Sequence, residues 1–379
     1  MGSVTPYETA SGRRYRVRYR KPDRTQTDKR GFKSKREAEL FLATVEVSKA
    51  RGEYIDADSA RKLVGELGPD WLAQQTHLKP SSLRPLEIAW RLYVEPRWGR
   101  VSVGQVRHSD VQAWISQISL GRGATTVLRV YGVLASILDT AVKDRRILSN
   151  PARGVNLPRK SARKRSYLSH EQVEALARNS GNHATLVRFL AYTGLRWGEA
   201  TGLRVKSVDM LRRRVNVEEN AVMVAGTIHV GSPKSHEARS VPFPAFLADE
   251  LARECQGKDR SSLLFGDGLD YVRPPDSRNG WWIRALTTAR ELDQDFPEAL
   301  TRHDLRHTAA SLAVSSGANV LVIQRMLGHA SAAMTLDIYS DLFDDDLDAV
   351  ATALDVARTA SIVGKKWAAS GHALVGKLK

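Results

Sequence analysis

The sequence predicts a mainly α protein with small antiparallel sheets, an α+β chain of three domains. Three observations lead there. A basic stretch near the N-terminus alternates strictly, as a strand does. Apolar residues recur at helical spacing from about residue 66 to 150. Beyond residue 166, helical patterns are interleaved with short strand-like runs near 213–219, 227–231 and 238–242. The length, 379 residues, is too great for one ordinary domain, and 42% hydrophobic residues are enough for real cores.

The first predicted domain covers residues 1–58. In Arg14-Tyr15-Arg16-Val17-Arg18-Tyr19-Arg20 the four arginines fall on one side of a strand and Tyr15, Val17 and Tyr19 on the other. Pro22-Asp23 marks a turn, and residues 29–32 suit a further strand. Ser34 and Glu37 then form a capping-box pattern before a helix with Ala38, Phe41, Leu42 and Val45 inward. The expectation is a small sheet with one basic face, backed by one helix. Such a face can meet phosphates in a DNA groove, or it can simply be a solvated strand.

Residues 54–65 read as a linker. The second domain, 66–158, is read as helical. One helix lies near 80–94. Another starts at Ser109, with Gln112 completing a capping box and Val111, Trp114, Ile115 and Ile118 on its inner side. A third, near 125–143, carries Val127, Val130, Tyr131, Leu134, Leu138 and Ala141. Asn150-Pro151 ends the block. Residues 159–165 hold five basic residues, among them Arg163, Lys164 and Arg165. They read as an interdomain linker able to lie on phosphates. Ser169 and Gln172 open the third domain, 166–345, and a tail covers 346–379.

Charge narrows the function. Lys and Arg total 58 against 42 acids, a net charge of +16, which favours a polyanionic partner. Residues 11–40 supply twelve of the basic residues and four acids, half of the excess. Cys255 is the one cysteine, so neither an intramolecular disulfide nor a thiolate zinc cluster is possible, and a reducing cytoplasm fits. There is no secretory signal pattern, and no apolar run approaches the ~18 residues of a membrane span. Nucleic acid therefore stands ahead of a membrane.

Four short motifs in the third domain carry chemistry together, although each alone has an ordinary structural explanation. Thr193-Gly194 ends an apolar helix, and Arg196 follows with Glu199 placed to brace it. Lys234 sits in Gly231-Ser232-Pro233-Lys234-Ser235, read as a hairpin tip between two strands. In Arg302-His303-Asp304-Leu305-Arg306-His307-Thr308, His303, Arg306 and His307 share one helical face. The two histidines could ligate zinc, but Arg306 beside them would repel a cation, and no third ligand pattern is near. Last, Leu327-Gly328-His329 closes a helix beginning near Ala318. Tyr339 follows ten residues after that histidine, on a helix starting near Ser331.

The order Arg196, Lys234, His303 with Arg306, His329 and Tyr339 resembles the tyrosine recombinase (phage integrase) family. The phrases at 303–308 and 327–329 carry the resemblance most specifically. It covers about residues 166–345. The helical block is similar to that family's core-binding domain in position and pattern, and the N-terminal sheet resembles the arm-binding domain of lambda-type integrases. The resemblance implies a site-specific recombinase that integrates or excises a phage or mobile element through a 3′-phosphotyrosyl intermediate. It also implies a homotetramer on double-stranded DNA with core-type and arm-type sites, a DNA-bending host factor and an excision factor, in the cytoplasm of a bacterial host.

The chemistry agrees. In-line attack on a phosphodiester needs a nucleophile, stabilised phosphoryl oxygens and a proton for the leaving oxygen. Free phenol ionises near ~10, so Tyr339 needs help. Arg196 and Arg306 can clamp the non-bridging oxygens. His303 can hold or accept the phenol proton, His329 can donate to a non-bridging oxygen, and Lys234 can protonate the 5′ oxygen. No metal or other cofactor is required, since two arginines supply the electrostatics. The acidic run Asp341, Asp344, Asp345, Asp346 and Asp348 suggests a metal-dependent nuclease. It also suits a helix N-terminus, and residues 341–357 contain no Lys or Arg, so the segment should face protein. It can pack on its own subunit or on a neighbour. The rival functions are a type IB topoisomerase and a non-catalytic DNA-binding regulator.

Overall fold

In a computed structural model, the structure describes residues 2–161, 165–232, 238–276, 278–340 and, past these, 352, 354–356, 358 and 359. The chain divides into two compact units, Met1–Ala162 and Arg163–Lys379.

The first unit opens with β1 (Ser3–Thr9), β2 (Gly12–Arg20) and β3 (Gln26–Phe32), followed by helix α1 (Lys35–Ala50). The strands are antiparallel with β2 in the centre. The β2 alternation works as its side-chain pattern predicts. Val17, Tyr19 and Phe32 are buried against Ala38 and Val45 of α1, with Phe41 and Leu42 packed alongside. The arginines take the other face. Strand β1 is an addition to the sequence expectation. It pairs Thr5 with Arg16 and Tyr7 with Arg14, so polar and aromatic side chains flank the basic row. At the start of α1, Ser34 Oγ accepts from the Glu37 backbone N–H at 3.2 Å, while Glu37 reaches back to Lys33 N at 2.9 Å.

The expected linker is partly ordered. It contains the short α2 (Ala57–Ala60), and Lys21 pairs with Asp56 at 2.6 Å. Helices α3 (Val64–Ala73), α4 (Pro80–Ala89), α5 (Glu95–Trp98), α6 (His108–Ser119) and α7 (Ala124–Lys143) form a second apolar cluster. A π-helical turn, Trp90–Val94, joins α4 to α5. The helix near 80–94 thus runs on to Trp98. The Ser109–Gln112 capping box does not form. The helix starts one residue earlier, after Arg107, and the Gln112 amide instead holds the backbone of Asn156 through bonds of 2.8 and 3.4 Å. Helix α7 is long and apolar enough to cross a membrane, contrary to the expectation that nothing in the chain approaches that length. Val127, Val130, Val133, Leu134, Ile137, Leu138 and Ala141 are buried from it, making it the central core helix of this block.

The second unit is built around α8 (His170–Arg178), α9 (Ala184–Thr193), α10 (Trp197–Thr201), α11 (Ala248–Cys255), α12 (Trp281–Leu292) and α13 (Asp304–Ser315). Ser169 and Gln172 do form the predicted capping box of α8. Helices α14 (Val320–Leu327) and α15 (Ala332–Tyr339) follow. Among the strands, β4 (Val208–Asp209), β5 (Arg214–Val217) and β8 (Arg239–Pro242) make one sheet in the order β4-β5-β8. Strands β6 (Asn220–Val224) and β7 (Thr227–Gly231) make another. This corrects the reading of Lys234 as a hairpin tip. Strands β7 and β8 belong to different sheets and do not pair with each other, while Lys234 itself lies outside the described residues. Gly and Pro between two strands signal a turn without specifying which strands pair.

Candidate active site

The site is assembled from the ends of helices. Helix α9 stops at Gly194, whose φ is +65°. A Cβ there would lie 2.5 Å from Leu327 Cδ2, so both conformation and space require glycine. Arg196 follows in extended conformation and enters α10. Glu199, fully buried, accepts its backbone N–H at 2.9 Å and its guanidinium at 2.8 Å. The same carboxylate takes a forked pair of bonds from Arg239, at 2.6 and 3.1 Å. Burial alone would raise the Glu199 pKa. The hydrogen bonds and charge of Arg239, and then the charge of Arg196, hold it down at about 2.

Arg306 lies one turn into α13 and is 3% exposed. It donates to the carbonyl of Gly194 at 2.7 Å and to that of Leu327 at 2.6 Å, tying the ends of α9 and α14 together. Burial, and next the charge of Arg196, press its pKa down to about 9, so it remains a cation at neutral pH. Arg196, Arg239 and Arg306 thus share this region with the buried carboxylates of Glu199 and Asp304, three cations against two anions, leaving an excess of positive charge suited to an oxyanion.

Gly328, with φ of +66°, ends α14 as its sequence predicts. A Cβ there would stand 3.0 Å from the Arg239 guanidinium. His329 follows, with Nδ1 3.0 Å from the buried Thr335 hydroxyl. Burial, then Arg306 and Arg196, lower its pKa to about 4, so the ring is neutral near pH 7. In the tautomer in which the Thr335 hydroxyl donates to Nδ1, Nε2 carries the proton and is a donor. Ser331 caps α15, accepting from Met334 N at 3.2 Å, and Tyr339 ends that helix.

Tyr339 is 1% exposed. Its ring stacks on His329 with centroids 6.3 Å apart and planes 9° apart. Its hydroxyl is 2.8 Å from His307 Nδ1. Burial raises the phenol pKa to about 12 against the opposing charge of Arg306. His307 is lowered to about 4, by burial first and then by His303. His303 stands at the start of α13 with its ring 5.3 Å from that of His307. Its own pKa is lowered by burial, then by Arg306 and Arg196.

Arg196, His303, Arg306, His329 and Tyr339 are therefore gathered in one region. Lys234 lies outside the described residues, as do Arg163, Lys164 and the acidic run from Asp341 to Asp348. Arg165, expected on DNA, donates to the carbonyl of Ile338 at 2.6 Å and so braces the turn that holds Tyr339. Sequence reasoning missed Arg239, whose partner lies forty residues away in the chain. His307 is visible in the sequence, though there it suggests a zinc ligand. In the first unit, Arg18 and Arg20 are exposed and Arg14 and Arg16 half-buried, with Arg16 Nε 3.0 Å from Thr5 Oγ1. Asp28 sits opposite Arg18 on β3. Its pKa is lowered by its hydrogen bond to Arg30 and by the charges of Arg30, Arg16 and Arg18.

Residues 166–345 match the Phage integrase family. The integrase of Mycobacterium phage L5 is 29% identical over 258 residues, covering 65% of this chain and 66% of that protein. A putative prophage phiRv2 integrase of Mycobacterium tuberculosis is 27% identical over 72% of each chain. The tyrosine recombinase XerD of Haemophilus influenzae is 27% identical over 63% of this chain and 79% of its own. The Tn1549 transposon integrase, solved in complex with transposon right end DNA, shares the fold with a TM-score of 0.65 at 21% identity. That match covers 76% of this chain and all of the solved one. A lambda integrase dimer bound to a core site superposes with a TM-score of 0.58 at 14% identity, over 88% and 93% of the two chains. Residues 166–345 are thus similar to the phage integrase family, and the relatives and solved neighbours together support a tyrosine recombinase.

Proposed function

We propose that this chain is a site-specific DNA recombinase in which Tyr339 attacks a phosphodiester held by Arg196 and Arg306. The observation carrying this reading is the setting of the Tyr339 hydroxyl among two neutral imidazoles and a buried guanidinium, in a region with more cations than carboxylates. Arg306 is fixed by two backbone carbonyls and Arg196 by Glu199, so both are oriented before substrate arrives. His329 donates from Nε2 to a non-bridging oxygen. One imidazole of the His303–His307 pair takes the phenol proton. Lys234 supplies the proton for the leaving 5′ oxygen. The resulting 3′-phosphotyrosyl bond keeps the energy of the broken diester, so rejoining needs no nucleotide or metal.

The basic face of β2 fits a second class of DNA contact, making the protein bivalent for arm-type and core-type sites. Solved proteins of this fold include integrases on DNA and a lambda integrase tetramer on a Holliday junction. On that analogy this chain acts as a homotetramer on paired sites in a bacterial cytoplasm, assisted by a DNA-bending host factor and an excision factor. The domain boundaries 1–58, 66–158 and 166–345 follow the same plan.

The test uses a nicked duplex built from the junction sequence flanking the gene. The parent protein should form a covalent adduct stable in denaturing gels. The Lys234→Ala variant should cleave it about 10²–10⁴-fold more slowly, and should recover on a duplex with sulfur at the bridging 5′ position. Relaxation of a plasmid lacking any such site would favour the topoisomerase reading instead.

A further inference from the structure

We infer that His307 is the catalytic base of this site: it receives the Tyr339 proton during cleavage and returns it during rejoining. This rests on the recombinase reading and names the group that reading leaves open between two histidines.

Contact comes first. A base must lie within hydrogen-bond reach of the proton it removes. His307 Nδ1 is 2.8 Å from the Tyr339 hydroxyl, inside that range. His303 is a full helical turn earlier on α13, at the point where the chain enters the helix. Its ring packs edge-on against His307, with planes 83° apart. The phenol is almost fully enclosed, so water is a poor competitor for its proton.

Protonation state agrees with the contact. At neutral pH the His307 imidazole is uncharged, held so by burial and by the neighbouring His303, and in the tautomer protonated at Nε2 the Nδ1 lone pair faces the phenol hydroxyl. The phenol, pushed upward by burial, keeps its proton until something takes it. The gap closes as bonding proceeds. As the Tyr339 oxygen bonds to phosphorus it loses its basicity, and its proton passes to His307 Nδ1. The P–O5′ bond breaks, and the leaving oxygen takes a proton from the acid assigned to Lys234. In rejoining, the 5′ hydroxyl attacks and returns its proton to Lys234, the assigned acid, the P–O bond to Tyr339 breaks, and the departing phenolate recovers its proton from His307.

Adduct formation on the nicked duplex tests the assignment, measured from pH 6 to 9 for the parent, His307→Asn and His307→Ala. Asn retains a polar atom near the position of Nδ1 but cannot carry the proton. Its rate should fall by about 10²–10³-fold at pH 7. It should then climb towards tenfold per pH unit as solvent hydroxide ionises the phenol, where the parent profile stays flat. Added imidazole should restore part of the rate to His307→Ala. A packing role alone would produce neither the slope nor the rescue. Flat profiles without rescue in both variants overturn the inference. So does the appearance of slope and rescue in His303→Asn and His303→Ala instead, which would return the role to His303. Failure of the recombinase reading looks different: Tyr339→Phe would still form an adduct.

Discussion

The two groups of arginines in this protein meet their surroundings in opposite ways. On β2, Arg18 and Arg20 stand in solvent on a row shared with Arg14 and Arg16. Arg20 donates to the Arg24 carbonyl and Arg16 to the Thr5 hydroxyl. In the second unit, Arg306 is buried on two carbonyls, and Arg196 and Arg239 are clamped on one buried carboxylate. The first arrangement acts at a distance, tolerates side-chain motion and is weakened by salt. The second gives up solvation beforehand and fixes the guanidiniums in place, as the proposed phosphate clamp requires. Both kinds of arginine suit phosphate, and geometry decides which of them can serve chemistry.

The comparison breaks most sharply at the nucleophile. Tyr339→Phe should bind junction DNA as the parent does and form no adduct, since only the hydroxyl changes. A denaturing gel showing adduct would end the catalytic reading of the second unit.

Arginine-to-lysine exchange sharpens the contrast. Lysine is a point charge and cannot replace a fork held by two carbonyls. Arg306→Lys should lower cleavage by about 10²–10³-fold with little change in gel-shift affinity. Arg18→Lys should leave both nearly unchanged. Similar behaviour at the two positions would mean that the buried guanidinium acts by charge alone.

The next effect is on stability. Glu199→Gln leaves Arg196 and Arg239 facing a neutral amide and should cost about 3–5 kcal/mol in denaturant unfolding. The native Glu199 pKa lies below its unfolded value. Its contribution is therefore present above about pH 4.5 and lost as pH falls towards about 2. The Gln variant should lack that acid limb. His307 and His329 add a trend of the same sign at higher pH. Their native pKa values are depressed to about 4, so stability should decline as pH falls below about 6.5. The Tm of the parent should drop between pH 7 and 5, and that of His307→Gln should drop less.

The smallest effect belongs to the exposed face. Arg16→Ala with Arg18→Ala should reduce the log–log salt slope of arm-site binding by about 0.9 for each phosphate no longer neutralised. An unchanged slope would make this row a solvated surface.

How much of this is legible in the sequence follows the same division. The β2 alternation and the stripes of α1, α6 and α7 are local and periodic, so their faces can be read directly. Strand β1 escapes such a reading because Ser3–Thr9, with Pro6 inside it, has no clean alternation; it is an edge strand ordered by pairing with β2. Gly194 and Gly328 are legible as helix stops because a left-handed residue has a chemical signature. The Arg239–Glu199 fork is not, since neither spacing nor composition links positions forty apart. The false hairpin at Lys234 has the same origin: strand order is a tertiary fact. His307 is legible as a neighbour of His303 on one face, but its contact with Tyr339 depends on how α15 packs on α13.

The enclosure of Tyr339 also bears on damage to DNA that is not the target. A chain with a net charge of +16 will collide with and slide along nonspecific DNA far more often than it meets its own site. With the phenol 1% exposed and tethered to His307, the nucleophile proposed above is enclosed during those collisions. Each ~1.4 kcal/mol that favours the closed position makes accidental strand breaks tenfold rarer. On the proposed reading, the burial that makes Tyr339 a reluctant acid would also guard the DNA over which the protein searches.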